Sequence, residues 1–233
     1  MHTILTPANE LIYIKDMTNI LDFKTINAEF NKLKFIKNVQ NEITVDLKLF
    51  DNIIFENNKK LLELECKNYL NECYQIQEMY EDISITNSWG NITKPKQIHH
   101  EHSHPFSVVS GVIYLDNNIN NLNLNFVLQN KSAGIPYFLD QEKEAHLSLK
   151  EILEMSGLNH IILNNLKNYV ILFLSNLKHH VTITPINSTP RKSISFNTFW
   201  KGRVGRAGAP LAGLDFDQIS VLSEHDGKHN LKI

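Results

Sequence analysis

The apolar positions change their period near residue 82. Before it they recur at helical intervals. In 23–39, Phe23, Ile26, Phe30, Leu33, Phe35 and Ile36 fall near one face of a helix. In 58–80, Leu61, Leu62, Cys66, Tyr69, Leu70, Cys73, Ile76 and Met79 do the same. The second stripe reads as core packing, not as a cofactor box. Between the two, 42–50 alternates enough to be a strand. After residue 82, short runs rich in Val, Ile, Phe and Ser are separated by turn residues. They span 83–92, 107–116, 121–128, 169–174, 180–185 and 192–200. Short strands without long helices between them predict a sandwich or barrel.

The segment 132–168 interrupts these strands. Inside it, Ser148 stands at an N-cap position, with Glu151 three residues on and Gly157 as a stop, which predicts a short helix over 148–156. From residue 201 the chain is rich in Gly and Ala (KGRVGRAGAPLAGL) and then polar. This predicts a loop or lid, or a segment ordered by a partner. The expected organisation is a mostly helical N-terminal region, 1–82, packing on a β core, 83–200, with a Gly-rich extension, 201–233.

Composition narrows the function classes. With 233 residues, 42% of them hydrophobic, the chain can bury a sizeable core. A net charge of -2 gives no basic surface for nucleic acid. Apolar runs such as 169–173 are far shorter than the roughly 20 residues that span a bilayer. The N-terminus lacks a basic region followed by an apolar one, so no signal peptide is expected. Cys66 and Cys73 lie about two helical turns apart, too far for a disulfide within one helix. They read as small core residues in a reducing, cytoplasmic setting.

The histidines point to chemistry. The chain has 11. His99, His100, His102 and His104 crowd one short stretch, and His179 and His180 form a pair. On a strand, residues i and i+2 point the same way. His102 with His104, or His100 with His102, would then present two imidazoles to one metal ion. His179 or His180 would supply a third from a distant strand, leaving positions open for substrate and O2.

The flanking residues resemble a family. His102-Ser-His104-Pro-Phe-Ser-Val-Val-Ser110-Gly111-Val-Ile-Tyr114-Leu115 looks like the "H-x-[DH] … SGVYYL" segment of bacterial and phage 2-oxoglutarate–Fe(II) oxygenases, within the prolyl-hydroxylase-like superfamily. Upstream, Ser88-Trp89-Gly90-Asn91-Ile92 is similar to their "SWGN" strand. Downstream, Leu172-Phe173-Leu174-Ser175-Asn176-Leu177-Lys178-His179 resembles "LFPSWLxH", and Arg191-Lys192-Ser193-Ile194-Ser195-Phe196-Asn197 resembles "RxSISFN". The motifs keep the family's order over roughly residues 84–200. The N-terminal third and the tail lie outside the resemblance.

The resemblance implies a mainly β fold with N-terminal helices, built on a double-stranded β-helix (jelly roll). It implies a dioxygenase using Fe(II), 2-oxoglutarate and O2, usually as a hydroxylase. His102 and His104 take the proximal ligand positions and His179 the distal one. Arg191 holds the distal carboxylate of 2-oxoglutarate, helped by Ser193 and by Tyr114. The chemistry agrees, since a guanidinium pairs bidentately with a carboxylate and hydroxyls complete the hydrogen bonding around a buried charge.

One position departs from the pattern. Most members carry His-x-Asp, and here His104 replaces the Asp. Three neutral imidazoles leave iron more positive than two imidazoles and a carboxylate. Glu101, His99 or His100 remains an alternative ligand. His180 reads as structural or as supporting the site, Trp89 as core, Asn91 as pocket wall and Gln97 as facing substrate. Two rival readings follow from the His-x-His pair. One is a three-histidine cupin-type dioxygenase without 2-oxoglutarate. The other is a jelly-roll binding protein without catalysis. The expected partner is a small molecule, an amino acid or a peptide. Specificity is expected from 132–168 and the tail.

Overall fold

The computed structural model describes residues 2–7, 10–129, 144–183, 185–186, 188–205 and 214–215. The chain forms β1 (His2–Leu5), β2 (Ile12–Asp16), α1 (Phe23–Phe30), β3 (Phe35–Asn38), β4 (Asn41–Thr44), α2 (Glu56–Tyr74), β5 (Tyr80–Thr93), β6 (His99–His102) and β7 (Val109–Tyr114). It continues with β8 (Leu124–Gln129), β9 (Glu144–Ser148), α3 (Leu149–Met155), α4 (Asn159–Leu163), β10 (Tyr169–Leu174), β11 (His179–Val181), β12 (Arg191–Val204) and β13 (Leu214–Asp215). Two antiparallel sheets result. The larger runs β1-β2-β10-β7-β12-β5-β4-β3, with β13 on β12, and the smaller runs β6-β11-β8-β9. The mainly β, jelly-roll expectation holds.

Two apolar layers hold the sheets in place. Between helices and large sheet, Phe23, Ile26 and Phe30 of α1 and Leu62, Cys66, Tyr69 and Leu70 of α2 pack with Val109, Ile113, Val170, Leu172, Ile194 and Phe196. On the other face, Val112, Tyr114, Ile171 and Phe173 meet Leu124, Phe126 and Leu128 of the small sheet and Leu149, Ile152 and Leu153 of α3. Central strands covered on both faces are mostly apolar, as β10 is and as β7 is apart from Ser110 and the Tyr114 hydroxyl, because neither face meets water. Glu65 is buried on α2, where it accepts from Tyr13 Oη at 3.0 Å and Lys15 Nζ at 2.6 Å. Burying its charge is offset by those two donors.

The elements differ from the expected ones in physically informative ways. α1 stops at Phe30, and the apolar residues after it belong to the β3–β4 hairpin. α2 ends at Gln75 in a left-handed conformation (φ 55°), so Tyr80 begins a strand instead of closing a helix. β2 pairs with β10 and β1 pairs with β2, which extends the large sheet by two strands. Ser148 caps α3 as expected, with Glu151 returning to the Ser148 backbone, and Gly157 has φ +72°. Residues 132–143 of the expected specificity segment 132–168, and most of the tail (206–213 and 216–233), lie outside the described residues. Cys66 is buried, Cys73 partly so, and both are free thiols. Burial pushes both upward, Cys73 to about 11, so neither is a thiolate at neutral pH.

Candidate active site

Alternation along β12 divides its side chains between two environments. Ile194, Phe196 and Thr198 turn to the helical side, while Arg191, Ser193, Ser195 and Asn197 line a cavity between the sheets. β12 pairs with β5 and β7, so Ser193 lies opposite Asn91 on one side and Tyr114 on the other. Trp89, Asn91, His99, His102, His104, Ser110, Tyr114, Phe173 and His179 complete the wall. Four separated sequence motifs thus meet in one cavity.

At one end stand three imidazoles. One nitrogen each from His102, His104 and His179 lies within 4.8 Å of the other two. His179 is opposite His102 across the β6–β11 pair. β6 ends at His102, so His104 does not share its face by strand alternation alone. The chain turns after the strand, and the His104 backbone N–H donates to the Ser175 carbonyl at 2.8 Å.

Hydrogen bonds set the imidazole tautomers. His102 Nδ1 lies 2.8 Å from the His100 carbonyl, and His179 Nδ1 lies 2.9 Å from that of Leu177. A carbonyl only accepts, so each Nδ1 carries the proton and each Nε2 has a free lone pair. His104 Nδ1 faces the Asn197 side-chain amide at 3.3 Å. Burial holds His179 well below the ordinary histidine range. Burial with the neighbouring His102 takes His104 to about 4, and burial also lowers His102. All three are neutral near pH 7, as coordination requires.

At the other end lies Arg191, 5% exposed. Its Nε and Nη1 have no hydrogen-bond partner, and neither do the buried Tyr114 Oη, Thr93 Oγ1 and Asn91 Oδ1. The Arg191 guanidinium carbon sits 5.6 Å from the centre of the Tyr114 ring. Burial opposes the arginine's charge, while Tyr114 and Asp116 favour it. The unpartnered Arg191 N–H groups and the Tyr114 and Thr93 hydroxyls are donors that match a carboxylate, whose two oxygens accept several hydrogen bonds, whereas Asn91 Oδ1 can only accept. The imidazole set likewise fits a non-haem iron, with three nitrogen donors and open positions. Among the described residues, iron would be held by His102, His104 and His179, and 2-oxoglutarate by Arg191.

Other expected residues fall elsewhere. Trp89 was expected in the core and instead lines the cavity, its ring 5.9 Å from that of His104. Gln97 accepts from the Lys94 backbone at 2.7 Å, closing a turn, and does not line the cavity. Glu101 and His180 join a different cluster from the three imidazoles. His99 contributes to the cavity wall, lowered to about 3 by burial and then by neighbouring histidines and Arg191. Asn38 and Ile43 of the β3–β4 hairpin, with Leu47, line a mouth beside His99, His102 and His104. Nothing in their residue types distinguishes them from an ordinary hairpin surface, so only the folded arrangement reveals them. Asn197 was quoted only inside a motif, and its contact with His104 was not legible.

Residues 87–197 match the family model described as "Putative 2OG-Fe(II) oxygenase". No curated protein sequence matches the chain. Among solved structures, it is similar to the non-haem alpha-ketoglutarate-dependent carbocyclase SnoK from nogalamycin biosynthesis (TM-score 0.51, 8% identity, 85% of this chain and 83% of that one). It is also similar to a 2OG-Fe(II) oxygenase family oxidoreductase from Burkholderia pseudomallei (0.48, 12%, 76% and 77%) and a prolyl-4-hydroxylase from Pseudomonas putida (0.47, 13%, 84% and 95%). The likeness to the carbocyclase supports a shared fold. The family match makes residues 87–197 similar to 2-oxoglutarate–Fe(II) oxygenases.

Proposed function

We propose that this chain binds Fe(II) through His102, His104 and His179 and 2-oxoglutarate through Arg191, Ser193 and Tyr114, and that it hydroxylates an unactivated C–H bond of a small molecule, amino acid or peptide. The observation that carries the reading is Arg191, buried and with unpartnered Nε and Nη1, in the same cavity as the imidazoles. A buried cation without an anion is costly, and a bound carboxylate offsets that cost. A three-histidine dioxygenase without 2-oxoglutarate would need a carboxylate on its own substrate to fill that place.

When bound, iron, 2-oxoglutarate and O2 supply the oxidising power, with succinate and CO2 as coproducts. The protein does the positioning. Arg191 would offer its fork to the distal carboxylate of 2-oxoglutarate, and the Tyr114 and Ser193 hydroxyls would complete its hydrogen bonding. The two carbonyl-bound histidines hold Nε2 toward the metal. Phe173 packs edge-on against the His179 ring with centroids 4.7 Å apart, which helps fix the orientation of that imidazole. The solved neighbours include one with hygromycin B bound and another with a hypoxia-inducible-factor peptide. A small-molecule or peptide substrate is therefore in keeping with this fold.

The test is an anaerobic titration of metal-free protein with Fe(II) and then 2-oxoglutarate. We expect a visible charge-transfer band saturating near one equivalent. Arg191→Ala should shift half-saturation to at least tenfold higher 2-oxoglutarate, a loss of about 1.4 kcal/mol or more. His179→Ala should abolish iron binding. Iron binding without the band would instead indicate the three-histidine dioxygenase, and no iron binding would indicate a catalytically inactive protein.

A further inference from the structure

A second group of ligating side chains lies on the opposite face of the small sheet. One ligand atom each of Glu101, His146 and His180 lies within 4.8 Å of the others. Strand geometry separates this group from the iron position. β6 bulges against β11 (His179 opposite His102, Val181 opposite His99), so His99 and His102 both line the cavity while the Glu101 carboxylate lies with His146 and His180. On β11, His179 turns inward and His180 outward. His146 arrives from β9. It pairs with Val127 of β8, whereas His180 pairs with Asn125, so the two imidazoles lean toward each other over β8. Their ring centroids are 5.4 Å apart, and His146 Nδ1 is 4.0 Å from Glu101 Oε2.

Two observations point to a ligand. His180 Nδ1 is buried and has no hydrogen-bond partner. A buried imidazole nitrogen left unpaired costs free energy that a bound ion would recover. Glu101 Oε1 lies 3.6 Å from Lys178 Nζ, which leaves Oε2 on the side of His146.

We propose that Glu101, His146 and His180 form a second metal site, selective for a borderline divalent ion such as Zn2+, with water completing a tetrahedron. Two imidazoles and a carboxylate are a zinc donor set. Ligand atoms about 2.0–2.2 Å from Zn2+ stand roughly 3.3 Å apart in a tetrahedron, and rotation of the half-exposed Glu101 and His146 side chains closes the present spacing to that. The ion ties β6, β9 and β11 together on the outer face. It thereby braces the strand that carries His179 on its inner face. The site is independent of the iron reading.

Metal-free full-length protein titrated with Zn2+, with bound metal quantified after dialysis, tests this. The wild type should retain two equivalents, His146→Ala one, His104→Ala one, and the double variant none. Glu101→Gln should weaken the second equivalent at least tenfold. Zn2+ should raise the Tm of His104→Ala and leave that of His104→Ala/His146→Ala unchanged. His146 is half-exposed and lies outside the two apolar layers, so its replacement leaves their packing intact. If His146→Ala retains as much metal as the wild type, the second site is wrong whatever His104→Ala does. If His104→Ala retains two equivalents while His146→Ala loses one, the second site stands and the proposed iron ligands fall.

Discussion

His104 occupies the position where most 2-oxoglutarate oxygenases carry an aspartate, and its surroundings are adapted to a ring. Trp89 stacks obliquely beside it, its backbone is tied to Ser175, and its Nδ1 faces Asn197. Asn197 in turn accepts from Ser110 Oγ at 2.8 Å. An amide is reversible in this setting. With its oxygen toward the imidazole it accepts from Nδ1–H, leaving Nε2 for metal and its NH2 for Ser110. Asn197→Leu removes that support, and iron affinity should fall by roughly 10–100-fold, as for other residues that orient a metal histidine. Calorimetric Fe(II) binding checks this, and unchanged affinity would show that His104 needs no such partner. At the other end of the cavity, Arg191→Lys keeps the charge but loses the planar fork. Its 2-oxoglutarate dissociation constant should rise about as far as that of Arg191→Ala, while iron binding stays unchanged.

At the scale of elements, Gly111 and Phe196 explain each other. They face one another on β7 and β12, and a Cβ at Gly111 would lie 2.2 Å from Phe196 Cζ. Phe196 is fully buried against Phe50 and Val109 in the layer under the helices. The glycine of one motif thus makes room for the phenylalanine of another. Gly111→Ala should cost about 1–3 kcal/mol by overpacking. Gly111→Ala combined with Phe196→Leu should recover part of it, as read by urea denaturation. The capping box of α3 gives a smaller and local effect. Ser148→Ala should cost about 1 kcal/mol with no change in 2-oxoglutarate affinity. That helix start was legible because a cap is a contact within four residues. The Gly111–Phe196 contact was not, since nothing local says that β7 and β12 are neighbours.

At the scale of the molecule, the gathered histidines give the metal-free protein an acid sensitivity. Burial depresses His99 to about 3 and His104 to about 4, and lowers His102 and His179 as well. In the unfolded chain these groups titrate near 6.5. Below that pH the unfolded chain binds protons that the folded chain refuses, so stability rises with pH. Stability is complete above about pH 6.5 and is lost progressively as pH falls toward 4. The Tm of metal-free protein should therefore drop steadily between pH 7 and 4, and His99→Asn should reduce the slope. A Tm independent of pH in that window would contradict the burial of these rings. No described helix is long and apolar enough to cross a membrane, which leaves a barrel of strands untouched by that statement.

The sequence by itself supplied the candidate chemical groups. Side-chain type and short spacing are local properties, so the His-rich stretch, the Arg191 motif, the short strands and the α3 cap could all be read from the chain. The three-dimensional arrangement decided what pairing across distant strands controls. It turned His180 away from His179 by strand alternation, and a bulge in β6 set Glu101 beside His180 while His99 and His102 face the cavity. It brought Trp89 and Asn197 against His104, and set the β3–β4 hairpin at the cavity mouth. It also added β1 and β2 to the sheet, where burial against β10 and the helices outweighs the weak local preference of residues 2–16. Which imidazoles meet one ion depends on strand order and register. These are set by burying apolar faces over the whole molecule, and no window of sequence contains them.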